Sequence, residues 1–145
     1  MKTLPIVLGL ILSVATLAPG ARAADVTSLS VTFKGLKATT GAILFTVVNS
    51  EDAYNDKAPV VTQAVLPATA DTVTHVMPGL APGVYAIKAF HDVNGDGKMN
   101  ANPFGIPIEP FAFSNNAAAS MGPAKWAEAR FEVKAGANTQ TIDID

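Results

Sequence analysis

The sequence predicts an all-β protein, a single antiparallel β-sandwich of about seven strands with one long ordered loop. Three observations carry this. Apolar and polar residues alternate with period two in run after run. Gly (11) and Pro (10) punctuate those runs as turn residues do. No stretch after residue 23 shows the apolar period of a long helix, so a helical bundle is excluded and a β-barrel is the alternative.

Residues 1–23 come first and read as a cleavable signal peptide. Lys2 supplies a positive start, and Leu4 to Ala18 form an apolar stretch broken only by Gly9, Ser13 and Thr16. Ala21-Arg22-Ala23 is the small-x-small pattern that a signal peptidase accepts. The apolar run is about 15 residues, short of the roughly 20 a membrane-spanning helix needs. The expectation is export, with 24–145 as one domain and no membrane span in the mature form. With no cysteine, neither a lipid-anchoring motif nor a disulfide is available. The full chain carries 10 basic and 12 acidic residues, a net charge of −2, and loss of Lys2 and Arg22 takes this to −4. No basic cluster could collect phosphates, so nucleic acid is not an expected partner.

The strands follow in order. In Val26–Lys34, Leu29, Val31 and Phe33 point one way and Ser28, Ser30 and Thr32 the other. Gly41–Asn49 is apolar on both faces, as a central strand should be. Pro59–Leu66 and Thr72–Met77 are β-branched runs, and Gly83–His91 follows. Lys125–Lys134 alternates, with Ala127, Ala129, Phe131 and Val133 inward. The turn Lys134–Asn138 leads into Asn138–Asp145, with Ile142 and Ile144 inward.

The segment Pro78-Gly79-Leu80-Ala81-Pro82-Gly83-Val84-Tyr85 is a turn restricted by proline and glycine, feeding a strand that begins with a large aromatic. This L-x-P-G-x-Y arrangement resembles the immunoglobulin-like sandwiches of the prealbumin-like and carboxypeptidase-regulatory-like type. The resemblance implies scaffold, not activity.

Between His91 and Lys125 lies the long loop, 92–124. Structureless connections beyond about 15 residues are uncommon in compact domains and are often functional. Phe104, Phe111, Phe113, Trp126 and four prolines point to a folded cover packing on the sandwich. Ser114–Met121 is expected to form a short helix capped by Ser114 or Asn115. The loop opens with Asp92, Asn94 and Asp96 in the D-x-N-x-D-G order of a calcium loop. There the Lys98 carbonyl and the Asn100 side chain would be further ligands. Pro103 stands where a calcium hand places its bidentate Glu, so a helix-loop-helix site is ruled out. Glu109, Asp52, Asp56 or a backbone carbonyl would have to complete any calcium shell. The alternative is turn chemistry alone, since Asp and Asn bond their own backbone and Asn-Gly and Asp-Gly favour reversals.

The string from Gly83 through His91-Asp92-Val93-Asn94-Gly95-Asp96-Gly97-Lys98, then Phe104-Gly105-Ile106-Pro107-Ile108-Glu109, then Phe113-Ser114-Asn115-Asn116, resembles the bacterial domain-of-unknown-function family 2141. The resemblance covers nearly the whole mature chain and implies a periplasmic β-sandwich. It brings no catalytic residues with it.

For chemistry, His91 is expected to orient the loop by a hydrogen bond, and His75 to be a surface or half-buried strand residue. Glu109 is expected to anchor its own loop through backbone N–H groups. Asp92, His91 and Glu109 are the residues a hydrolase would use, but there is no cysteine nucleophile and no serine elbow. The aromatics are expected to anchor the loop, with stacking on a sugar or peptide as the alternative. The expected function is a non-catalytic exported binding or structural module whose functional face is Asp92–Asn116. A calcium-stabilised carbohydrate- or envelope-binding domain is the alternative.

Overall fold

The computed structural model describes residues 26–144; the expected signal peptide lies outside the described residues. The elements in chain order are β1 (Ser28–Lys34), β2 (Ala42–Val48), α1 (Glu51–Tyr54), β3 (Thr62–Pro67), β4 (Thr72–Pro78), β5 (Gly83–Asp92), β6 (Phe111–Phe113), α2 (Trp126–Ala129), β7 (Phe131–Val133) and β8 (Ala137–Asp143). They form two sheets, as the all-β sandwich reading requires. The smaller has the order β4-β1-β8 and the larger β3-β2-β5-β6, with β7 also paired to β5.

The core between the sheets comes from the period-two runs. Leu29, Val31 and Phe33 of β1 and Ile43, Phe45 and Val47 of β2 are buried, as are Ile87 of β5 and Ile142 of β8. Phe33 and Phe45 meet across the sandwich with ring centroids 5.2 Å apart. Burying side chains of this size contributes about 1.5–3 kcal/mol each. His75 lies half-buried in β4, its ring 5.8 Å from that of Phe45. In the turn before β5, Leu80 is buried and the Tyr85 hydroxyl donates to the Ala81 carbonyl at 2.8 Å. This tyrosine corner pins the chain reversal to the strand it feeds.

Three local expectations need correction. The β1–β8 pair is parallel, not antiparallel, with Ser28 opposite Ala137; alternation reports which face a residue takes and is silent on strand direction. Lys125–Lys134 is a helical turn followed by a short strand. Trp-Ala-Glu-Ala is helix-compatible, and the turn leaves Ala127 exposed while the Trp126 ring packs on Tyr54 at 5.8 Å. The helix expected over Ser114–Met121 is only a 3₁₀ turn at Ser114–Asn116. Asn115 and Asn116 there take φ of 59° and 51°, a left-handed conformation that stops a helix from propagating. Between β2 and β3, α1 is a single helical turn that the strand pattern does not address. Its signal was present: Ser50 caps it by accepting from the Ala53 N–H at 3.2 Å, with Glu51 and Asp52 in the first turn.

The larger sheet carries a second, smaller core on its outer face. Tyr54, Phe113, Ala124 and Ala129 are buried there, with Phe111 and Trp126 packed against them. The Tyr54 hydroxyl donates to the Ala124 carbonyl at 2.8 Å. Burial, with the nearby Glu128 charge adding to it, pushes this phenol up to about 12. This core covers one end of the sheet's outer face and leaves the other end uncovered.

Candidate functional site

At the end of β5 the chain turns on the Asp92 carboxylate, which is 2 % exposed. Its Oδ1 accepts from the N–H groups of Gly95 (2.8 Å) and Asp96 (3.1 Å), and its Oδ2 from Gly97 (2.7 Å). Asn94 Oδ1 accepts from the Asp96 N–H, and Asp96 Oδ1 from the Lys98 N–H. The Asn94 and Asn100 side-chain amides both donate to Asp96 Oδ2, at 3.3 and 3.0 Å. Bonding to Asn100 first, and to the Lys98 N–H second, holds the Asp96 carboxyl below the usual carboxylate range. The five expected calcium ligands are thus brought into one turn, and the side-chain oxygens of Asp92, Asn94, Asp96 and Asn100 accept from N–H groups of that turn. Among the described residues, no group of three or more His, Asp or Glu is placed to hold a metal ion. Asp52 and Asp56 follow the far end of β2, where Val48 pairs with Ala86, while Asp92 pairs with Ala42 at the near end. They complete no shell around Asp92.

Glu109 and His91 also face inward. Glu109 accepts from the Val93 N–H through Oε1 (3.0 Å) and from the Asn100 N–H through Oε2 (2.9 Å). It closes the base of a flap formed by residues 100–108, in which Asn102 Oδ1 caps the tip by accepting from Phe104 and Ile106 N–H groups. His91 is buried, with Nε2 2.8 Å from the Thr40 carbonyl. A carbonyl only accepts, so Nε2 carries the proton. Nδ1 is buried without a partner. The three residues named for hydrolysis therefore bond backbone, and none lines the groove described below.

The Phe113-Ser114-Asn115-Asn116 motif is a clip. Strand β5 pairs with β6 over Lys88–Phe90 and with β7 over Gly83–Tyr85, leaving a gap at Ile87. The fully buried Ser114 hydroxyl fills it, accepting from the Ile87 N–H at 2.8 Å and donating to the Ala129 carbonyl at 2.6 Å. The Asn115 amide donates to the Arg130 carbonyl at 2.8 Å, and Asn116 exchanges bonds with Asp143 of β8. Asn115 and Asn116 thus join elements of the fold.

The open half of the larger sheet's outer face forms the floor of a groove of about 1390 Å³. The strand register lays its side chains in two rows. Val65, Leu44, Phe90 and Phe111 lie opposite one another across β3, β2, β5 and β6, giving an apolar row. Two residues along, Gln63, Thr46 and Lys88 form a polar row that ends at Phe113. Met99 just before the flap, Ile106 and Pro107 of the flap and Met121 of the following loop line the groove from above. Val65 is 63 % exposed, and Met99, Ile106 and Met121 are exposed too. The anchoring role expected for the aromatics holds for Phe111 and Phe113 but not for Phe104, which is 87 % exposed at the flap tip. Asn102 holds that tip by backbone bonds, so the ring is not needed for packing.

A family of uncharacterised proteins conserved in bacteria, domain-of-unknown-function family 2141, matches residues 31–141. The chain belongs to this family. No curated protein and no solved structure matches it significantly. The family match spans both sheets, the Asp92 turn, the flap and the Ser-Asn-Asn clip, so every part of the groove lies within it. Sequence reasoning missed the floor residues Leu44, Val65 and Phe90. The signal for Leu44 was the two-sided apolarity of β2, which was read as burial on both faces.

Proposed function

We propose that this family member is an exported, non-catalytic binding module whose ligand lies in the groove on the outer face of the larger sheet. The observation that carries the reading is the apolar row Val65–Leu44–Phe90–Phe111, exposed at Val65 and half-buried at the other three, beneath exposed apolar side chains of the flap. Contiguous apolar surface of this kind is costly to leave in water and marks interaction sites. The inward Asp92, Glu109 and His91 support a non-catalytic reading, because each bonds backbone away from the groove. Export rests on the composition of residues 1–23, and sequencing the amino terminus of periplasmic protein should find Ala24.

Titration with Nile red, an uncharged apolar dye, tests the groove. Its fluorescence should rise and saturate with the wild type, and Val65→Lys combined with Ile106→Lys should remove the response without changing the fold by circular dichroism. Both positions are exposed, so neither substitution disturbs the core. A wild type that leaves the dye dark, or a double variant that binds as well, overturns the reading.

A further inference from the structure

Resting on that groove reading, we infer that the ligand is a long-chain carboxylate, with its chain along the apolar row and its carboxylate on Lys88. The two floor rows are the first ground. Adjacent strands lie about 4.8 Å apart, so the row Val65–Leu44–Phe90–Phe111 spans roughly 14 Å. It is flanked on one side by the polar row that holds Lys88. A ligand matching this floor is apolar along its length and polar at one position.

Lys88 decides the sign of that polar group. Lys88 and Asp56 are the charged residues that line the groove. The Lys88 ammonium donates to the Tyr54 carbonyl at 2.8 Å and lies 5.5 Å from the centroid of the Tyr54 ring. Both contacts come from a buried residue of the second core, so the cation is held in place before any ligand arrives. Its remaining contact is the Asp56 carboxylate at 2.7 Å. That side chain is 81 % exposed against 23 % for Lys88. It sits on a non-glycine residue at φ 59° just past α1. An exposed partner of this kind is weakly held and exchanges with competing anions. Asp56 therefore occupies the position that an incoming carboxylate would take, and swinging out into water releases it without breaking the fold.

Calorimetric titration with dodecanoate, dodecanol and dodecyltrimethylammonium, each below its aggregation concentration, tests the assignment. Wild type should bind dodecanoate at least tenfold more tightly than dodecanol and the ammonium compound least. Lys88→Met keeps the apolar stem and should bring dodecanoate down to the level of dodecanol. Asp56→Ala should tighten dodecanoate severalfold and leave dodecanol unchanged; should Lys88→Met not fold, this variant and the wild-type comparison decide. Equal binding of the acid and the alcohol, or tighter binding of the ammonium compound, overturns the carboxylate assignment and leaves the apolar groove standing. Failure of all three to bind overturns the groove reading itself. Binding only to neutral phosphatidylcholine vesicles, with no uptake of monomeric dodecanoate, overturns the assignment in favour of membrane insertion by the flap.

Discussion

Removing the Ser114 hydroxyl should cost more than its size suggests. In Ser114→Ala the Ile87 N–H loses its acceptor in a site with no exposure to water. An orphaned buried group of this kind costs about 1–3 kcal/mol. The Ala129 carbonyl loses its 2.6 Å donor and keeps only the Asn115 amide at 3.4 Å, which adds about 1 kcal/mol. Together these give about 2–4 kcal/mol, or a fall in Tm of about 8–15 °C for a domain of this size. Urea unfolding of the variant should show a lower midpoint with an unchanged slope, because the surface exposed on unfolding is the same. Hydrogen exchange adds a local readout: the Ile87 amide should lose protection before its neighbours in β5. Ser120→Ala, in the exposed part of the same loop, should stay within about 0.5 kcal/mol. A Ser114→Ala variant as stable as Ser120→Ala would refute the account of the hydroxyl as a bridge across the gap in the sheet.

Four further outcomes follow from the same reasoning. Gly41→Ala should be severely destabilised, because Gly41 has φ 70° and an added Cβ would meet the Asp92 carbonyl oxygen at 1.8 Å; a loss below about 1 kcal/mol, read by thermal unfolding, would contradict that close approach. Asp92→Asn should cost about 1–3 kcal/mol, since an amide nitrogen replaces one of the two oxygens that together accept from three N–H groups. Millimolar calcium should shift the wild-type Tm by no more than about 1 °C, the side-chain oxygens of the turn being engaged with its own N–H groups; a shift of several degrees that Asp92→Asn abolishes would support the calcium reading. In alkali, the Tyr54 phenol ionises at 10.0 in the unfolded chain and at about 12 in the fold. The unfolded chain alone releases the proton between these values, so stability present below pH 10 should fall as pH rises toward 12. Tyr54→Phe should flatten that slope, and an unchanged slope would count against the burial of Tyr54.

Much of the scaffold could be read from side-chain alternation. Leu29, Val31 and Phe33 face the core because their period matches the pleat, and Tyr85 locks its corner because the preceding Pro and Gly leave the chain few other routes. The Asp-Asn-Asp turn was also legible, including its alternative as pure turn chemistry. Less legible was anything decided by contacts between distant segments. Asn115 and Asn116 have the composition of helix caps, yet they are spent on Arg130 and Asp143 far along the chain. The groove escaped for the same reason. Leu44, Phe90 and Val65 come from three strands, and only the register sets them side by side. Their uncovered state depends on where the flap and the second core stop, which no local pattern encodes.

The parallel pairing of β1 with β8 sets when the protein can finish folding. β1 is the middle strand of its sheet, and one of its two neighbours, β8, is the last strand among the described residues. Until residues 137–143 are available, β1 has one bare edge and the inward faces of Phe33 and Ile43 lack the cover of Ile142. Closure joins segments separated by almost the whole described chain, a pairing with a large loop entropy and a slow rate. If the chain is exported as proposed, crossing the membrane as an extended thread with its amino end first, such a design would postpone compaction until β8 has passed. The same ladder that completes the sandwich thus acts as a timer on its assembly.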